Sequence, residues 1–251
     1  MTTSTKQLPR GSEFFKIAAT VETQCADVSI AEIPKLGISA PACYEFLGDV
    51  LSILYEEASC FHGCDNGDHL IQRLTARIVT HSLSSLRLAT FGYYDESFAL
   101  IRNIGEIVNL LFLFAAQPDS LQTWRSASEQ KRKREFGPVK VRLKLEALNL
   151  RPPIDESRYG LLCEVSVHVV PSMSPQTYNE QNRPTLGAKF QDTGLICTLN
   201  ELSVVVAESA ACLSTFPNIG DRAVPLRTAA ELLLNVVGNL DLALARGNGG
   251  V

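Results

Sequence analysis

The chain has no phosphate loop of the G-x-x-x-x-G-K-S/T type, no G-x-S-x-G elbow and no H-E-x-x-H helix. Those absences remove three large groups of enzymes whose chemistry depends on such spacings. There is no Glu-x-x-His pair either, which argues against a ferritin-like di-metal site between helices. No basic segment followed by an apolar one opens the chain, so no secretory signal is expected. The longest apolar run, Ile107 to Ala116, is interrupted by Asn109. It falls well short of the ~20 residues that span a bilayer, so no membrane association is expected. Positive charge is not in excess: the net charge of −4 gives no overall attraction to nucleic acid or anionic lipid. Strand-rich stretches and internal repeats are also lacking.

Cysteine is present without a disulfide pattern. The seven cysteines are odd in number and mostly scattered along apolar stretches, which fits reduced thiols in a cytoplasmic protein. With 251 residues, 45% of them hydrophobic and 20% charged, the chain has ordinary globular composition and can bury a sizeable core.

The segment on which the rest is organised is Asp95 to Ala116, DESFALIRNIGEIVNLLFLFAA. Phe98, Ile101, Ile104, Val108, Leu111 and Leu113 make it apolar around most of its circumference, the pattern of a helix buried on several sides. Asp95 is placed to cap it, and Pro118 marks its exit. A polar seam runs through it: Arg102, Glu106 and Asn109, spaced by four and three residues and so on one face. A buried charge needs a partner, so Arg102 and Glu106 are expected to satisfy each other. Gly105, beside Glu106, leaves room for a neighbouring backbone to approach.

Elsewhere the reading is helical throughout. Residues 1–12 form a polar tail, and Leu8 to Phe14 (LPRGSEF), overlapping its end, resembles a protease-site and cloning scar with an imperfect fit, or is native sequence; no function is drawn from it. A short helix or docked arm is expected over 14–33. Ser39 and Pro41 open a helix carrying Tyr44, Leu47, Leu51 and Leu54. After a turn with Gly63, Asn66 and Gly67, Asp68 caps a helix ending near Gly92. Asp119 or Ser120 starts a charged helix that Gly137 and Pro138 interrupt. Val139 to Leu145 (VKVRLKL) alternates like a strand, but its neighbours favour helix. Asp155 or Ser157 opens a helix ending before Pro171, and 171–187 is a long irregular loop. Helices over about 191–214 and from Pro225 follow. The fold class is therefore all-α: an antiparallel multi-helix bundle of about eight helices forming one domain over 13–246, with a tail at 247–251.

Three constellations have chemical potential. Cys60, His62, Cys64 and His69 are the right residue types for zinc. Crowded on one short turn, they read instead as a capped helix–helix connection, and no metal or other cofactor is assigned. Glu164 and His168 are four apart, with Tyr159 earlier on the same helix. A carboxylate so placed can orient a histidine for acid–base work, or the histidine can simply sit at the negative helix end. The basic run Lys131 to Arg134, continued by Lys140, Arg142 and Lys144, reads as a solvated helix face that could touch phosphates.

Two stretches together, GYYDESFALIRNIGEIVNLL (Gly92 to Leu111) and RYGLLCEVSVHVVP (Arg158 to Pro171), resemble a broad group of bacterial all-helical proteins. That group is distantly similar to HEPN domains, some of which are ribonucleases in toxin–antitoxin and phage-defence systems. The resemblance covers the middle of the chain and implies a HEPN-like bundle. The catalytic HEPN signature, Arg followed after four to six residues by His, is missing: Arg77 is too close to His81 and Arg158 too far from His168. The resemblance therefore bears on fold more than on nuclease activity. The residues it singles out are Arg102, Glu106 and His168 as catalytic candidates, with Tyr159 and Asn109 for binding. In that reading His168 is the acid–base, and Arg102 steadies a phosphate or orders Glu106.

Two functions follow as expectations. One is a HEPN-like cytoplasmic protein that binds or cleaves RNA, or binds a nucleotide, in a bacterial stress or defence setting. The other is a non-catalytic helical scaffold or partner-binding protein with a structural Arg102–Glu106 pair. A homodimer is expected in either case.

Overall fold

The structure, a computed structural model, describes residues 8–59, 61–63, 69–168, 174–181 and 183–237. Among these there is no strand, and ten α-helices follow one another: α1 (Ser12–Glu32), α2 (Ser39–Ala58), α3 (Leu70–Thr90), α4 (Tyr94–Ala116), α5 (Pro118–Ser126), α6 (Glu129–Phe136), α7 (Pro138–Ala147), α8 (Glu156–Ser166), α9 (Asp192–Leu213) and α10 (Ala223–Val236). Short 3-10 turns occupy Ile33–Lys35 and Pro217–Arg222. The all-α class is as the sequence predicts. The expected tail residues 1–7 and 247–251 lie outside the described residues, and α1 already begins at Ser12.

The count of about eight helices was low for two reasons: α1, 21 residues long, was expected only as a short helix or docked arm, and one charged helix was expected where two stand. Ala127 and Ser128 are extended, and the Ser128 side chain accepts a hydrogen bond from Lys131 N at 3.3 Å, so α6 starts afresh after α5. The alternating VKVRLKL is helical, as its neighbours suggested. Val141 and Leu145, four apart, are buried in α7, whereas Val139 and Leu143 are about half exposed. A strand would have placed all four on one face.

Two caps differ from expectation. Ser39 is already helical, the cap position being Ile38. Asp95 does not cap α4. Its carboxylate instead accepts from Gln176 N (2.9 Å) and the Tyr178 hydroxyl (2.7 Å). The acceptor for the first turn is the Gln176 side chain, whose Oε1 takes Tyr94 N at 2.8 Å and Asp95 N at 3.4 Å. The proline-rich loop thus supplies the helix start. Gly92, at φ 82°, lets that loop's continuation pass close by: a Cβ there would lie 2.4 Å from the Lys189 carbonyl oxygen.

The most enclosed helix is α9, not α4. Seventeen of its 22 residues are buried, against 11 of 23 in α4. It touches α2, α3, α4 and α10, while α4 is shared between this group and α5, α7 and α8. One continuous core runs from Ile33 to Leu233. Many polar side chains inside α9 are satisfied locally: Thr198 donates to Gly194 O (2.8 Å) and Ser209 to Val205 O (2.6 Å). By length and composition α4 and α9 could each cross a membrane, with mean hydropathy 1.6 and 1.5. The expectation drawn from the Ile107–Ala116 run alone overlooked both helices. Core helices meet the same criterion, and 78% of the α9 window is buried inside the fold.

Candidate functional site

Helix α4 carries Arg102 and Glu106 one turn apart, and they form an ion pair, Nη2 to Oε1, at 2.7 Å. Asp155 caps α8 by accepting from Arg158 N (2.9 Å), and the helix then lays Tyr159 and Cys163 over the pair. The Tyr159 hydroxyl accepts from Arg102 Nη2 and donates to Glu106 Oε1 at 2.9 Å. Arg102 Nε donates to Cys163 Sγ at 2.9 Å. The side chains of Arg102 and Glu106 are 20% and 29% exposed.

This closed ring sets the electrostatics. Burial acts to lower the Arg102 pKa, but Glu106, Tyr159 and Cys163 together outweigh it, and the guanidinium is held charged. Burial, then the hydrogen bond to Glu106, pushes Tyr159 up to about 12. The phenol therefore stays protonated and acts as a neutral bridge between the two charges.

A third helix contributes a residue that sequence reasoning placed in solvent. Arg142 of α7 is 5% exposed, and its guanidinium lies 4.6 Å from the Tyr159 ring centroid; that of Arg102 is 4.8 Å away. Its Nη1 is buried without a hydrogen-bond partner. Two guanidinium groups therefore share one tyrosine ring, and of the two Arg102 is paired with the Glu106 carboxylate.

Asn109 extends the seam by a turn but faces the chain, not a ligand. It donates to Ile154 O (2.8 Å) and accepts from Ile154 N (2.9 Å). Gly105 does provide close approach, although to a side chain: a Cβ there would be 2.9 Å from Ile154 Cγ1. The structure thus brings Arg102, Glu106 and Tyr159 together, with Asn109 one turn along. His168 does not join them. α8 ends at Ser166, Val167 leaves helical geometry (φ −126°), and the four-residue register from Glu164 is lost. His168 is exposed, its backbone N–H bonds to Cys163 O at 2.9 Å, and no hydrogen bond or ion pair among the described residues links its ring to the seam. The atoms reaching Arg102 from α8 are the Tyr159 hydroxyl and the Cys163 sulfur.

The four most prominent clefts among the described residues are lined by other side chains than Arg102, Glu106 and Tyr159. A polar cleft of about 410 Å³ opens elsewhere, at the end of α2. There Glu57, 8% exposed, holds Arg222 by a fork of 2.5 and 3.1 Å. His62 Nε2 stands 3.5 Å from Glu56 Oε2 and 3.8 Å from Glu57 Oε1. The sequence signal for Glu57 was its phase: it follows Cys43, Leu47, Val50 and Leu54 on the buried stripe of α2. Nothing local signalled Arg222, 165 residues away. Of the zinc alternative, Cys60, Cys64 and Asp68 lie outside the described residues. Among the described ones no three His, Cys, Asp or Glu are grouped to hold a metal ion.

No family model, curated protein or solved structure matches this chain.

Proposed function

We propose that the chain is a non-catalytic helical interaction module that works as a homodimer in the cytoplasm, with Arg102–Glu106 as part of its scaffold. One observation carries this reading: the polar groups of the seam are used up on one another. Arg102 is engaged by Glu106, Tyr159 and Cys163, and the one histidine proposed for catalysis is outside the cluster. A general acid–base site needs a titrating group free to reach a substrate, and in this seam Glu106 and Tyr159 are bonded to each other and to Arg102. The experiment is incubation of the purified protein with total RNA, alongside Arg102→Ala and His168→Ala. The expected result is no cleavage by any of the three, with a lowered melting temperature for Arg102→Ala only. Cleavage by the wild type that both substitutions abolish overturns the reading.

A second reading keeps the resemblance: a HEPN-like bundle with antiparallel neighbours that binds RNA or a nucleotide. Arg142 favours it, being a buried guanidinium with an unpartnered Nη1 in a stretch of sequence that also carries the exposed Lys131, Lys133, Arg134 and Lys140. Its test is binding of a short RNA or of ATP at several salt concentrations. This reading expects an affinity that falls with salt and drops further in Arg142→Ala. Absence of binding at low salt removes it.

A further inference from the structure

Helix α1 is packed along only half its length. Cys25, Ala26 and Ser29 are buried, and the helix is tied down by Ser29 Oγ donating to Thr90 O (2.8 Å) and by Tyr93 OH donating to Glu22 Oε1 (2.9 Å). From Ser12 to Val21 every residue except Ala18 is exposed. Phe15 is 72% exposed and Phe14 47%, with Ile17 and Val21 also above 40%. Phe14, Phe15 and Ala18 stand eleven residues, three turns, before Cys25, Ala26 and Ser29. They continue the side that packs on the body, past the point where the body ends. Among the described residues nothing covers this apolar face, the kind of surface that marks an interaction site.

Among the described residues an apolar groove also stands open. It lies between α2 and α3, about 630 Å³ in volume, walled by Tyr44, Tyr55, Leu83 and Leu86. At its centre Gly48 leaves a notch, since a Cβ built there would meet nothing within 4 Å. Tyr44 and Tyr55 are eleven residues apart on α2, roughly 16 Å at the helical rise; the ten residues from Ser12 to Val21 cover roughly 15 Å. Charge matches as well. The groove rim carries Glu45, Asp49 and Glu56 and no basic residue. Beyond the Leu8–Phe14 string, the arm to Val21 carries Lys16 and no acidic residue. Its helix start is the positive end of the backbone dipole, and Gly11 at the cap offers no side-chain acceptor.

We propose that the projecting half of α1 from one copy seats in the α2–α3 groove of a second copy, and that the exchange is reciprocal. This rests on the homodimer reading above and names its surface. The arm does not fill its own groove. α1 is one unbroken helix through Glu32, held at Glu22 and Ser29, so folding back would require breaking it in the middle. A two-fold pairing makes the contact twice and leaves neither apolar surface exposed.

The test is sedimentation equilibrium on four samples: wild type, Phe15→Glu in the arm, Gly48→Leu in the groove, and an equal mixture of the two variants. Circular dichroism confirms that each is folded; Gly48→Leu has open space for its side chain and a better helix former than glycine. The expected result is a dimeric wild type, and for each variant alone a dimer affinity lower by about tenfold or more. The mixture forms a heterodimer, because the intact arm of the Gly48→Leu copy still fits the intact groove of the Phe15→Glu copy. A dimeric wild type whose variants both stay dimeric, or of which only one dissociates, overturns the exchange and spares the homodimer reading. A monomeric wild type overturns both.

Discussion

Asn109 and Ile154 are joined by two hydrogen bonds, side-chain amide to backbone, that reproduce the pairing of two extended strands. Ile154 is fully buried just before α8, and its side chain lies against Gly105. The contact therefore fixes where α8 begins, and with it the position of Tyr159 over Arg102. Asn109→Leu leaves a buried N–H and a buried C=O without partners. Each such group costs roughly 1–3 kcal/mol, so a loss of about 3 kcal/mol is expected from urea denaturation. A loss below about 1 kcal/mol would mean that the segment finds other partners.

Tyr159 makes stability sensitive to alkali. Its pKa is raised in the folded protein from the ordinary 10.0 to about 12 by burial and by its bond to Glu106. The folded state keeps its proton where the unfolded chain has lost it. The resulting stabilisation is whole below pH 10.0 and disappears as the pH climbs through about 12. Tyr93, also at about 12 beside Glu22, acts in the same direction. Tyr159→Phe should start from a lower melting temperature at neutral pH and lose less of it across this window. Parallel melting curves for the two proteins check this, and identical slopes would remove Tyr159 from the account.

The helical class and the Arg102–Glu106 pair were legible because both depend on short spacings. An i, i+4 pair within an apolar helix has few other ways to be satisfied. What covers the pair was half legible: Tyr159 was named, but Cys163 and Arg142 were not. Arg142 belongs to a run of alternating charges that reads as solvated, and only its position over Tyr159 explains its burial. His168 was misplaced because periodicity was extended two residues past the end of α8. The centrality of α9 was hidden by its Thr, Ser, Asn and Glu residues, several of which bond back along the helix or, like Glu201, to Arg158 at 2.7 Å. Pairings over long sequence separations, such as Glu57 with Arg222, leave one half of the pair without a local sign.

Gln176 tests whether the described part of the 171–187 loop is structural. It caps α4 with Oε1 while its Nε2 donates to Glu96 Oε2 at 2.6 Å, and it does so at φ 53°. Gln176→Ala removes the cap and keeps the left-handed backbone, so a loss of about 1–2 kcal/mol is expected. Gln176→Gly removes the same cap but tolerates that φ, and should be less damaging by about 1 kcal/mol. Denaturation of both variants, with amide exchange at Tyr94 and Asp95, checks the order. Alanine and glycine behaving alike would mean that the backbone at 176 relaxes once the side chain is gone.

His81 contributes in the acid range. Burial first, and Arg77 one turn earlier second, lower its pKa below the ordinary 6.5, and its Nε2 is buried without a partner. A histidine depressed in the folded state takes up its proton more readily when unfolded. Stability should therefore be intact above pH 6.5 and decline as the pH falls from there through the folded value. His81→Leu removes both the titration and the unsatisfied nitrogen, and replaces them with an apolar group on a helix rich in buried neighbours. The variant is expected to be at least as stable as wild type at neutral pH, and to lose less stability on acidification. Melting temperatures of the two proteins between pH 5 and 8 supply the comparison, since the other three histidines are common to both. If the two curves run parallel across that range, proton uptake at His81 is not linked to unfolding.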